Sequence, residues 1–146
     1  MQENPYREDS ELLQELLRQF ENLKNGRPHS FIEEDSFEKI IDHYHGNEDL
    51  KMAMSAATHA CEQYPYSAML RIKKADILLA RRQYHTALDV LEQATLLDSG
   101  DINLYILKTE VYLALDQQEK AVTLLEEAIA LFEGEERMEL LFELAD

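Results

Sequence analysis

Cysteine is almost missing from this chain. Cys61 stands alone, so no disulfide can form within the chain, and a secreted disulfide scaffold is excluded. Long apolar runs are missing too: no stretch approaches the roughly 18 apolar residues of a membrane-spanning helix. The opening Met1-Gln-Glu-Asn-Pro-Tyr-Arg-Glu-Asp has neither a basic leader nor the apolar core of a signal peptide. These absences make a reducing cytoplasm the expected location. Basic residues are scarce, with 14 Lys and Arg against 30 Asp and Glu and a formal net charge of −16. Phosphate recognition needs a positive footprint, so no nucleic-acid partner and no membrane surface is expected.

The shortage of positive charge is uneven. Residues 1–67 carry 14 acids and 6 bases, residues 68–101 carry 5 of each, and residues 102–146 carry 11 acids and 3 bases. The neutral middle holds Arg71, Lys73, Lys74, Arg81 and Arg82, which read as charged helix surface making local ion pairs.

Arrangements that carry catalysis are also missing. His43 and His45 are two residues apart, which on a helix turns their side chains about 200° from one another. They cannot chelate together, and His59 and Cys61 share the same fault. Neighbouring carboxylates such as Glu33, Glu34, Asp35 and Glu38, or Glu126 and Glu127, follow from an acidic composition and mark no closed pocket. Asp42 to Asp49 lacks the spaced acids, central Gly and closing Glu of a calcium loop. There is no glycine-rich phosphate loop, Gly-x-Ser-x-Gly turn or Cys/His nucleophile arrangement. The expectation is a protein that is not an enzyme, with no catalytic residue, no cofactor and no metal.

What is present is helical periodicity. Leu12, Leu13, Leu16, Leu17, Phe20 and Leu23 recur at helical spacing, which predicts a helix over residues 10–24 with Ser10 as N-cap. Asn25-Gly26-Arg27-Pro28 stops it. Helical stretches then alternate in pairs over residues 35–45 and 50–63, 68–81 and 84–97, and 102–115 and 118–132. Gly46-Asn47-Glu48-Asp49 breaks the first pair. Tyr64-Pro65-Tyr66-Ser67 and Asp98-Ser99-Gly100-Asp101 separate the pairs, with Ser67 and Asp101 placed to cap the next helix. No useful length alternates with a period of two, so an all-α protein is expected.

Small residues recur 34 apart, at Ala53, Ala87 and Ala121 and at Ala60, Ala94 and Ala128. Tyr44, Leu78 and Tyr112 keep the same step, as do Ala57, Leu91 and Leu125. Such a period marks stacked helix pairs, which bury a continuous core only by leaning on their neighbours. Alanine at a crossing lets two helices approach closely.

This pattern resembles the tetratricopeptide repeat. Phe37, Ile40, Tyr44, Ala53, Ala57, Ala60 and Pro65 stand where the family's helix-packing and helix-ending residues usually stand. Ala75, Leu78, Tyr84, Ala87, Leu91 and Ala94 match in the second copy, and Tyr105, Tyr112, Ala121, Leu125 and Ala128 in the third. Arg71 departs from the expected aromatic, and Lys74 and Lys108 occupy usually aliphatic positions. Glu133 replaces a helix-ending proline, and Leu141, Leu144 and Ala145 resume a first-helix pattern after Gly134-Glu135-Glu136.

The resemblance implies a right-handed α-solenoid of stacked antiparallel helix pairs with an N-terminal capping helix. Residues 1–33 would form the capping segment, 34–67, 68–101 and 102–135 three repeats, and 136–146 the first helix of an incomplete fourth, as in the N-terminal portion of a longer array. In that family the first helices of the repeats line a concave groove that binds protein segments. Carried over, the groove falls on Glu38 and Asp42, then Met69, Ile72, Asp76 and Leu79, then Asn103, Ile106, Glu110 and Leu113, with Asp35 and His45 beside them.

The family's carboxylate clamp for chaperone tails would fall on Glu38, Asp42, Lys73, Asn103 and Leu107, where two acids oppose a carboxylate. A basic or amphipathic protein or peptide partner fits better. The aliphatic groove residues either anchor that partner or bury against neighbouring helices. The N-terminal helix either caps the array or occupies its groove. The implied role is a non-catalytic interaction module, adaptor or scaffold. The alternatives are a structural spacer or self-assembly segment of a longer solenoid, and a regulatory region with a catalytic domain downstream. An exposed C-terminal helix would also permit self-association.

Overall fold

The computed structural model describes residues 5–27 and 31–145, and among these every regular element is a helix. They are α1 (Pro5–Lys24), α2 (Glu34–Gly46), α3 (Leu50–Gln63), α4 (Ala68–Ala80), α5 (Tyr84–Leu97), α6 (Ile102–Ala114), α7 (Gln118–Leu131) and α8 (Gly134–Ala145). Along the chain they divide between Pro65 and Tyr66 into two compact units, α1 to α3 and α4 to α8. Consecutive helices pack as antiparallel pairs within each unit.

Local chemistry sets the helix starts. Asp49, Ser67 and Asp101 accept hydrogen bonds from the backbone N–H groups of Met52 (3.2 Å), Leu70 (3.2 Å) and Asn103 (2.9 Å). Each such cap stabilises its helix by about 1 kcal/mol. Ser67 and Asp101 are the caps expected from the sequence, whereas Ser10 is not a cap, because α1 begins at Pro5 and runs through it. Proline is tolerated in a first turn, where its missing N–H has no partner to lose.

The turn inside each pair repeats in detail. Glu48, Arg82 and Asp116, at 34-residue steps, have φ of 61°, 61° and 59°. The following N–H then closes over the helix end, from Asp49 to Tyr44 (2.9 Å), Gln83 to Leu78 (2.9 Å) and Gln117 to Tyr112 (2.8 Å). This arrangement satisfies the last carbonyls of the first helix. The left-handed conformation costs an L-residue about 1–2 kcal/mol, so these non-glycine turns are held by the helix pairs they join.

Inside the pairs, the alanines of the 34-residue register are all buried. Aromatic contacts close the first and third pairs at equivalent positions. Phe37 meets Tyr64 edge-on at 6.2 Å between ring centroids, and Tyr105 meets Phe132 at 5.4 Å. Such contacts contribute about 0.5–1.5 kcal/mol beyond area burial. Tyr64 also donates to the Ile32 carbonyl at 2.7 Å, and Tyr105 to that of Ser99 at 2.9 Å. In the second pair the same register positions fall on Arg71 and Asp98, and Arg71 Nη1 donates to Gln93 Oε1 at 3.0 Å. The departure seen in sequence replaces an aromatic contact between the helices with a polar one.

In the first unit, α1 covers the α2–α3 pair. Phe20 is fully buried, with its ring 6.2 Å from Tyr44 on α2 and 5.7 Å from His59 on α3. In the second unit, α6 contacts α4, α5, α7 and α8 and is therefore buried on several sides. Lys108 on α6 is only 7% exposed, and its ammonium reaches Glu92 Oε1 on α5 at 3.3 Å. Its methylene stem does the work of an aliphatic residue while the charge stays near the surface.

Leu140 is the fully buried residue of α8, while Leu141, Leu144 and Ala145 are exposed. Only Phe132 and Glu133 link α7 to α8, two residues against the four from Asp98 to Asp101 that link α5 to α6.

Candidate interaction surface

In the second unit, α6 lies beside α4 and α8 as well as its sequence neighbours, so the three alternate helices form one face. Asp76 on α4 and Glu110 on α6 stand 34 residues apart and so occupy the same register on that face. Glu110 is half-buried. Its carboxyl is held above the usual carboxylate range, first by burial, then by the carboxylate of Glu143 on α8, then by that of Asp76. The carboxylates of Glu143 on α8 and Asp76 on α4 therefore lie close enough to act on that of Glu110. Glu143 was missed in the sequence because it stands 33 positions after Glu110, out of step with the 34-residue register.

The apolar residues assigned to this face separate by burial. Ile72 is 6% exposed and belongs to the helix packing, so it is not an available anchor. Met69, Leu79 and Ile106 are half-buried, Asn103 is exposed, and Leu113 is 51% exposed at the end of α6. The reachable apolar surface is thus centred on Ile106, Leu79 and Leu113.

Glu38 and Asp42 belong to the first unit, on α2. Asp42 lines an open cleft between α1 and α2 together with Lys39 and His43, and with Asp9, Leu12 and Leu13 of α1. Glu38 is half-buried. Asp35 is exposed and His45 half-buried on the same helix.

The histidines and the cysteine have structural surroundings. His43 Nδ1 lies 3.3 Å from Asn47 Nδ2. His59 donates through Nδ1 to the Ser55 carbonyl at 2.9 Å and packs on Phe20, and Cys61 is buried. Among the described residues, no three His, Cys, Asp or Glu side chains gather to hold a metal ion. No helix among them is long and apolar enough to cross a membrane.

No family model and no curated protein matches the chain. Solved structures do match. An Arabidopsis protein, the OM64 TPR domain, is 14% identical with a TM-score of 0.65, over 76% of this chain and 93% of that one. The MamA RS-1 ArsTM double mutant is 21% identical with a TM-score of 0.62, over 83% of this chain and 74% of that one. At such identities the likeness is one of fold. The chain has the all-α fold of tetratricopeptide helix pairs.

Proposed function

We propose that this chain is a non-catalytic protein–protein interaction module, an adaptor or scaffold acting in the cytoplasm. It receives a positively charged or amphipathic protein segment on the face made by α4, α6 and α8. The supporting observation is the convergence of Asp76, Glu110 and Glu143 beside the partly exposed Leu79, Ile106 and Leu113. A cationic side chain placed beside Glu110 relieves the repulsion that Glu143 and Asp76 exert on its carboxylate, and the leucines and isoleucine supply apolar area. Glu38 and Asp42 give the first unit the same acidic character on α2. A carboxylate-terminated tail is the wrong ligand for such a surface. Affinity is modest, because a face of this size buries limited area.

The test is capture from a native extract with the parent chain beside a Glu110→Lys/Leu113→Asp variant. Both positions reach solvent, so the variant keeps its helical circular dichroism. Ile72 is left untouched, since a charge there would unfold the helix packing rather than probe binding. A partner retained by the parent, lost by the variant and then titrated directly against both supports the reading. Identical capture by both overturns it and leaves a spacer role as the better account.

A further inference from the structure

On α8 a second apolar surface points the other way. Met138, Leu141 and Phe142 are 53%, 40% and 68% exposed, and Ala145 is exposed with them. Their spacing of 0, 3, 4 and 7 confines them to a stripe about 100° wide. Leu140, the residue that seats α8 on its unit, lies roughly on the opposite side. The stripe is bordered asymmetrically: Glu135 and Glu139 follow one edge, with Glu143 further round that same side, while Arg137 lies at the other edge.

We infer that this stripe docks an amphipathic helix of another protein whose flank carries Lys or Arg. The surface is distinct from the α4–α6–α8 face, and the inference goes beyond the function proposed for that face. Charge selects this occupant over a second copy: each copy carries a net charge of −16, and an antiparallel two-fold pairing of α8 sets the Glu135 and Glu139 edge against itself. A helix with a basic flank meets that edge with opposite charge while its own apolar face covers Phe142, Leu141 and Met138.

The test titrates the full chain with two fluorescent designed helical peptides of about 14 residues, or four turns. They share one leucine stripe and differ only in Lys or Glu along its flanks. The Lys-flanked peptide binds about fivefold or more tightly than the Glu-flanked one. Its binding is lost in Phe142→Asp, or in Met138→Lys should the first variant fail to melt like the parent, and Glu135→Lys/Glu139→Lys reverses the preference. Glu110→Lys leaves it in place, which separates this surface from the one proposed above. No binding of either peptide, equal binding of both, or binding indifferent to the α8 variants overturns the inference. So does loss in Glu110→Lys. A light-scattering mass that doubles with concentration in the parent but not in Phe142→Asp assigns the stripe to a second copy and overturns it too.

Discussion

The first and last helices, α1 and α8, have apolar stripes written in the same helical period but use them oppositely. In α1, Leu16 and Phe20 are buried, and the Phe20 ring is wedged against Tyr44 and His59. In α8 a single residue, Leu140, is buried while Met138, Leu141 and Phe142 face out. A stripe with a 3.6-residue period states that a helix has an apolar side. It does not state which part of that side finds a partner, because covering depends on the turn that delivers the helix. Phe132 and Glu133 deliver α8 with Leu140 inward, and a one-residue change rotates the helix by about 100°.

That contrast can be broken or sharpened by substitution. The largest effect is expected at Phe20. Phe20→Ala opens a cavity between α1, α2 and α3 and should destabilise by about 3–5 kcal/mol in urea unfolding; a loss below about 1 kcal/mol would mean that α1 is not integral to its unit. Leu140→Ala should follow at about 2–3 kcal/mol, near the low end for a core leucine because the helix lies at the edge of its unit. Hydrogen exchange should then show α8 opening before α6, and uniform protection across both helices would contradict this.

Glu110→Gln tests the acidic face. The Glu110 carboxyl is raised by burial, by Glu143 and by Asp76, so the folded state holds its proton more tightly than the unfolded chain. Its favourable contribution is complete below the ordinary carboxylate range and is lost as pH rises through the raised folded value. At neutral pH the substitution therefore removes an unfavourable charge and raises Tm. The gain shrinks as pH falls and vanishes in acid. A Tm gain independent of pH would place the cause elsewhere. The smallest effect belongs to Phe142→Ser, within about 0.5 kcal/mol, since its ring is already in water. A larger loss in thermal unfolding would show that the stripe is covered in solution.

Much of the fold was legible because its signals are local and repeated. The alanine register marked positions that are buried in the structure, and the turn clusters placed the breaks within a residue or two. Ser67 and Asp101 announced their caps by type and position. The φ reversals at Glu48, Arg82 and Asp116 were not legible, since none is the glycine that usually marks such a turn. Of the candidate face, Asp76 and Glu110 came through the register. Glu143 did not, because the shorter approach to α8 breaks the count. Ile72 and Ile106 share one register position, yet only Ile72 is buried, a difference that periodicity cannot express.

By itself the sequence determined that this protein is built of helix pairs repeating every 34 residues, that it is strongly acidic, and, to within a residue, where the helices α2 to α7 begin and end. Those features follow from short-range rules of spacing, capping and turn chemistry that each segment obeys alone. Only the tertiary structure decided which aliphatic residues stay in solvent, that Glu110 meets Glu143, and that the apolar stripe of α8 faces outward. These depend on the rotation of each helix against its neighbours, which close packing sets to within a residue and no local pattern records.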